Sequence, residues 1–221
     1  MTSRARAAYD PDCRLCPRLV SYLHASRARY PHYWCRPVGP FGDPAPGILL
    51  VGLAPGLHGA NRTGRPFTGD FAGILLYRTL FELGLASHPE GASPDDGLKL
   101  KGVRITNAVK CAPPQNKPTP DEIRRCNPYL KEELEALASV RVLIALGRIA
   151  HEAILAALAL KRSAFGFGHG REHALAGGRV LIDSYHCSRY NTQTGRLTAA
   201  MFKSVLARGQ ALAEAPARSR S

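Results

Sequence analysis

Acid is scarce in this chain. Across 221 residues, 17 Asp and Glu face 30 Lys and Arg, and the formal net charge at pH 7 is +13. That excludes a self-neutralising surface and makes a polyanion the natural partner, because released counterions supply affinity independent of sequence. A GC-rich genome would also enrich arginine, alanine and glycine. Long apolar runs are missing as well. None reaches the roughly 18 residues that cross a bilayer, and the opening MTSRARAAYDPDCRLC has no apolar core of a secretory leader. The expected setting is cytoplasmic and nucleoid-associated, with no membrane partner. Internal repeats and low-complexity tracts are absent. Cysteine numbers only six, which in that setting argues against a disulfide framework and for metal or thiol chemistry. The 45% hydrophobic content is ordinary for a folded protein. The length suits a single domain over 1–221, with flexible ends at 1–12 and 209–221.

Glycine, by contrast, is concentrated. Residues 52–73, GLAPGLHGANRTGRPFTGDFAG, hold six glycines among polar groups. An apolar run at 47–51 precedes them and another at 74–85 follows. A Gly-rich polar loop leaving a core strand is where open α/β sheets place their sites, and glycine lets a ligand approach the backbone closely. An ordinary long loop is the plainer reading.

Apolar periodicity predicts the remaining elements. Residues 13–29 carry a helical pattern with Pro17 in its first turn. Residues 30–46 read as irregular chain, where Tyr33 and Trp34 are packed aromatics or, in the other reading, contacts to DNA. Strands are expected at 47–53, 103–107, 140–145 and 179–183, and helices at 72–83, 119–137, 148–160 and 195–207. Residues 161–178, basic and Gly-rich, are read as loop, with His169 and His173 in it and His151 earlier. Strand and helix alternate four times, which predicts an α/β fold with a parallel sheet covered on both faces. The strand exits, near Gly52–Asp70, Asn107, Gly147 and Tyr185–Asn191, then meet at one sheet edge.

The spacing Cys13-x2-Cys16 and Cys111-x14-Cys126 gives two pairs that can meet on a zinc ion or an iron–sulfur cluster. Spacing alone does not choose, and four unrelated buried cysteines are the bland alternative.

The stretch Gly52-Leu-Ala-Pro-Gly-Leu-His-Gly-Ala-Asn-Arg-Thr-Gly-Arg-Pro-Phe-Thr-Gly-Asp70 closely resembles the first motif of the uracil-DNA glycosylase superfamily, in the form of its family 5. His186-Cys-Ser-Arg-Tyr-Asn-Thr-Gln-Thr-Gly195 resembles the second motif. Thr106-Asn107-Ala-Val-Lys-Cys111-Ala-Pro-Pro resembles a segment shared with family 4. The resemblance runs from Cys13 to about Thr198. It implies a three-layer α/β/α sandwich around a four-stranded parallel sheet. It also implies a structural 4Fe-4S cluster on Cys13, Cys16, Cys111 and Cys126. The implied activity is DNA repair by hydrolytic excision of uracil, and of other deaminated or modified bases, from double-stranded DNA, leaving an abasic site. The chain is expected to work as a monomer.

Such chemistry needs a nucleotide turned out of the stack, a stabilised departing base and a carboxylate or water facing the cationic sugar. Asp70 is the only carboxylate in the first loop and matches the family 5 catalytic position; capping the following helix is its plainer role. The superfamily's most active members carry a polar residue just after the first glycine, whereas this chain has Leu53 and Ala54, as family 5 does. By the resemblance, His186 faces the base oxygen, Asn107 reads the base edge and Phe67 stacks on the flipped ring, with the backbone of Gly52 and Pro55 lining the site. Arg62, Thr63, Arg65, Ser188 and Arg189 are candidate phosphate donors; residues 187–192 are a candidate wedge in which Tyr190 is bulky enough to fill the gap, and Asn191 is a further candidate DNA contact. No lysine is placed for a Schiff base, so a monofunctional enzyme is expected. The rival reading is a non-catalytic iron–sulfur protein that binds damaged DNA.

Overall fold

The computed structural model describes residues 9–215; residues 1–8 and 216–221, where parts of both expected flexible ends fall, lie outside the described residues. In chain order come α1 (Pro17–Arg29), β1 (Phe41–Gly42), β2 (Ile48–Gly52), α2 (Ala60–Thr63), α3 (Phe71–Glu82) and β3 (Val103–Asn107). Then follow α4 (Pro120–Ala136), β4 (Val142–Leu146), α5 (Arg148–Ala157), β5 (Glu172–Ala174), β6 (Val180–Ser184), α6 (Arg189–Gln193) and α7 (Ala199–Glu214).

The sheet corrects the expectation of four parallel strands: it is six-stranded and mixed, in the order β1-β3-β2-β4-β6-β5. The strands read from apolar runs are its parallel centre, where β2 pairs with β3 and β4, and β4 with β6. Two short antiparallel strands extend the edges, β1 on β3 and β5 on β6. Both lie in segments the sequence offered as irregular chain.

Alternation along β2 builds the layers. Ile48 and Leu50 face one apolar cluster with Leu76 and Leu80 of α3 and Phe202 and Val205 of α7. Leu49 and Val51 face the other, with Leu130 and Leu134 of α4 and Ala153 and Ile154 of α5. A smaller third cluster joins Leu19 and Leu23 of α1 to Val109, Cys111 and Cys126. Among the described residues no helix is long and apolar enough to cross a membrane.

The helix starts follow local chemistry. Thr119 and Glu122 form a capping box at α4 with proline in its first turn, and Pro17 likewise opens α1. Helix α7 starts later and ends later than expected, and its run to Glu214 overturns the flexible reading for 209–214. Gly195, with φ of 71°, lies before the helix, and Thr198 caps it. Gly209, which looks like a helix breaker, allows close packing: a Cβ there would lie 2.7 Å from Ile144 Cδ1 on β4.

Candidate active site

Three of the four expected strand exits converge on one cleft, while the Gly147 exit after β4 lines a separate depression with Leu53 and His186. Leu53, Ala54 and Gly56 after β2, Asn107 at the end of β3, and His186, Ser188 and Arg189 after β6 line a cleft of about 410 Å³ with Phe67, Asp70 and Phe71. Gly52 stands opposite Asn107 in the parallel ladder. A Cβ on Gly52 would collide with Asn107 Oδ1 and come within 2.7 Å of the Phe67 ring. Glycine there is thus what lets both side chains close over the strand end. Phe67 itself has a φ of 54°, an uncommon conformation for a bulky residue, and is buried. Pro55 is buried beside them.

Asn107 is 2% exposed, and its Oδ1 has no hydrogen-bond partner among the described residues. A buried acceptor left unpaired costs about 1–3 kcal/mol, so a ligand donor has a prepared place. Asp70 caps α3, accepting from the Gly73 amide at 2.9 Å. Both readings of Asp70 therefore coincide in one residue, since its carboxylate also lines the cleft. Burial raises its pKa, and hydrogen bonds from the Gly73 and Ala72 amides oppose that rise. Gly59 and Gly56 leave room beside it: a Cβ on Gly59 would strike the carboxylate, and one on Gly56 would lie 3.7 Å from Oδ2.

His186 sits across the cleft, its ring 6.1 Å from Phe67 and inclined 28° to it. Burial brings its pKa down to about 4, so the imidazole is neutral at physiological pH. Cys187 is fully buried and its thiol pushed up by burial and by the Asp70 charge. It packs in the core rather than offering a nucleophile.

The expected phosphate donors divide. Arg62 is exposed and also donates to the Gly69 carbonyl at 3.1 Å. Arg189 is exposed and lies 5.1 Å over the Phe71 ring. Tyr190 is 71% exposed, as a wedge requires. Arg65 departs from its expected role: it is 5% exposed and forks onto Asp96 at 2.8 and 2.6 Å, with Phe41 beneath the guanidinium. It fastens loop 91–98 to the first motif instead of facing solvent. Thr63 donates to loop carbonyls, Ser188 caps α6, and Asn191 donates to the His186 carbonyl at 2.8 Å. These three shape the two loops from within.

Two features of the region were not read from sequence. Asn116, in a loop where Gln115 and Asn116 both have φ of 56°, reaches the cleft. Asp183, three residues before His186, is fully buried in β6. A carboxylate inside the apolar strand VLIDS was the available signal, because a buried charge needs partners.

Those partners form a closed polar group. His151 Nδ1 meets Asp183 Oδ1 at 2.7 Å, and its Nε2 meets the Phe165 carbonyl at 2.8 Å. Asp183 Oδ2 accepts from the Gly168 amide at 3.1 Å and from His173 Nε2 at 3.0 Å. Two acceptors on one imidazole call for two N–H donors, so His151 is an imidazolium. Burial alone lowers its pKa, but the hydrogen bond and charge of Asp183 and the Phe165 carbonyl outweigh it, and the net shift is upward. A pKa raised above the unfolded value near ~6.5 gives stability that is complete below that pH and is lost as pH rises through the folded pKa. Thermal melts between about pH 6 and 9 are therefore expected to fall on the alkaline side more steeply in the wild type than in His151→Gln. Parallel profiles would remove the imidazolium from the fold.

The four cysteines Cys13, Cys16, Cys111 and Cys126 line one small cavity between α1, the chain after β3 and α4, together with Leu19, Val20 and Tyr129. The Lys110 amide donates to Cys126 Sγ at 3.3 Å. Burial first, then the neighbouring thiols, raises the Cys16 pKa to about 11 and pushes up that of Cys111. Cys35 lies apart, buried, with Asn61 Nδ2 3.5 Å from its sulfur.

Comparison with known proteins agrees with this geometry. The family model described as the uracil DNA glycosylase superfamily matches residues 40–208. A type-5 uracil-DNA glycosylase of Thermus thermophilus is 57% identical over 206 residues, covering 91% of this chain and 94% of the relative. One of Pyrobaculum aerophilum is 47% identical over 204 residues, covering 90% and 88%. One of Mycobacterium bovis is 42% identical over 209 residues, covering 91% and 78%. Strand exits, cleft and sequence likeness together place this chain in the uracil-DNA glycosylase superfamily.

Proposed function

We propose that the protein excises uracil, and other deaminated or modified bases, from double-stranded DNA and leaves an abasic site, working as a cytoplasmic, nucleoid-associated monomer. The observation that carries this reading is the unpartnered Oδ1 of Asn107, buried at the floor of a cleft whose walls hold Asp70 and His186. A flipped uracil presents an N–H beside a carbonyl, and an asparagine amide matches both.

The reaction follows from these positions. The C1′–N bond breaks and its electron pair leaves with the base. Neutral His186 donates to the base oxygen where that charge collects, in a site from which protein excludes most water. Asp70 faces the sugar, stabilises its cationic character and takes the proton of the water whose oxygen bonds to C1′. Among the described residues no lysine lines the cleft, and Lys110, the nearest in sequence to Asn107, is buried against Glu133 at 3.3 Å. That supports base removal without strand cleavage. Apolar Leu53 and Ala54 on the cleft wall support breadth, since they impose no hydrogen-bond demand on the base.

The cysteine cavity suits a 4Fe-4S cluster held by Cys13, Cys16, Cys111 and Cys126. A single tetrahedral zinc, with Zn–S near 2.3 Å, would draw its sulfurs to about 3.8 Å apart. Among the described residues no three cysteine sulfurs lie within 4.8 Å of one another, so the four are not drawn to the spacing of a single zinc. When bound, the cluster supplies a cross-link between α1 and the chain after β3, away from the chemistry.

The test is single-turnover base release from duplexes carrying uracil opposite guanine, then hypoxanthine, ethenocytosine and hydroxymethyluracil, with single-stranded controls. Release with an intact abasic strand supports the reading; binding without release favours the non-catalytic protein. Gly52→Ala is a stringent probe of the pocket. Its methyl would displace Asn107 and the Phe67 ring, and a displacement near 1 Å can cost about 10²-fold in rate. A similar drop in uracil release is expected, with a fold that persists but melts several degrees lower, since overpacking costs about 1–3 kcal/mol. Wild-type release would take Gly52 and Asn107 out of the pocket.

A further inference from the structure

A second concavity adjoins the cleft. Arg27, Tyr33, Trp34, Arg36, Arg62 and Ser93 line an open depression of about 500 Å³, and among the described residues no acidic one lines it. It is joined to the first motif. Arg62 donates to the carbonyl of Gly69, one residue before Asp70, and the Gly69 amide donates to the Gly91 carbonyl at 2.9 Å. Trp34 is fixed in the wall: its amide donates to the Arg62 carbonyl at 3.0 Å and its indole N–H to the Pro37 carbonyl at 3.0 Å. Its ring packs on Gly64, where a Cβ would approach to 3.0 Å.

Three guanidinium groups converge there with donors to spare. Arg27 uses one nitrogen on the Trp34 and Cys35 carbonyls, and Arg62 one on Gly69; among the described residues their other nitrogens meet no acceptor. Arg36 lies 5.4 Å over Trp34 and pairs with Asp12, a carboxylate that is 75% exposed. Such an exposed pair is weak and exchanges readily for a phosphate.

We propose that this depression is a second DNA subsite, which holds the phosphodiester backbone of the duplex flanking the flipped nucleotide. It rests on the reading of the cleft as a glycosylase site. Apart from Arg62 and Thr63 its lining lies outside the motif loops, and positive charge without a carboxylate or a base-reading amide positions a backbone and reads no sequence.

The chain has one tryptophan, so its emission reports this depression alone. Undamaged duplex would be titrated into the full-length protein at several salt concentrations, following both Trp34 emission and the anisotropy of labelled DNA. Emission is expected to change with binding. Arg36→Gln is expected to weaken duplex binding by about three- to tenfold and lower the salt slope by about one, with Arg36→Lys keeping the slope. Ser93→Glu, on an exposed loop position, should weaken binding independently. Full binding by anisotropy with silent Trp34 emission and unchanged salt slopes would overturn the proposal. Base release, measured separately from the wild type, reports on the cleft, so the two readings fail by different signals.

Discussion

In Asp70→Asn, single-turnover release of uracil from duplex DNA falls by about 10³-fold or more, while duplex binding and melting temperature stay close to wild type. The size follows from two losses, proton acceptance from water, worth about 10²–10⁴, and the negative charge facing the sugar. The retention of structure follows from the cap. Asp70 accepts from the Gly73 amide with Oδ1, and asparagine is as good an N-cap as aspartate. Asparagine therefore removes the chemistry and leaves the helix start intact, a separation alanine would not give. The working form is the carboxylate. Since burial raises the Asp70 pKa, wild-type release is expected to fall as pH drops through a value above the ordinary carboxylate range. Equal release by both proteins would move the chemistry to His186 and to the backbone around Gly52 and Pro55.

The central strands were legible because they are covered on both faces, and strands of that kind read as continuous apolar runs. The edge strands were not. Phe41–Gly42 is two residues long, and Glu172–Ala174 alternates exposed and buried over three; each exists through pairing with a longer neighbour. No local pattern marks either one. That Asp70, Asn107 and His186 would meet at one cleft was legible in the topology, as polar residues following buried strands, whereas the roles expected of them came from the resemblance. Arg65 misled because its type and its place in the motif suggest phosphate binding, whereas its partner Asp96 sits 31 residues on in a polar loop. The His151–Asp183–His173 group spans α5, β5 and β6, so nothing in the spacing brings it together before the sheet forms.

Cys126→Ala is expected to lose iron, sulfide and visible colour together, and to lower the melting temperature by well over about 10 °C. What the proposed cluster would join sets this size. Helix α1 is 13 residues long and buries only Leu19, Leu23 and Ser26, and isolated helices of about 12–15 residues are marginal in water. Its polar anchors are the pair from Arg18 to Glu122, with contacts of 2.8 and 2.6 Å, in which Arg18 remains 44% exposed, and bonds from Arg18 to the Lys117 carbonyl and from Arg27 to the Trp34 and Cys35 carbonyls. A forked pair with one partner half-exposed and the other buried contributes about 1–3 kcal/mol, and among the described residues the apolar cluster under α1 has only six buried members. Structural metal centres contribute far more, on the order of 10 kcal/mol in small zinc domains. Even half of that corresponds to about 10–20 °C in a chain of this size. The effect should be confined to stability: the thiols lie in a cavity that shares no lining residue with the cleft, so base release per folded molecule stays near wild type. Cys35→Ala is the control, because Cys35 lies outside that cavity and should leave iron content unchanged. A Cys126→Ala protein that keeps its iron and its melting temperature would take Cys126 out of the ligand set, and a wild type that holds no iron would return the four cysteines to ordinary packing.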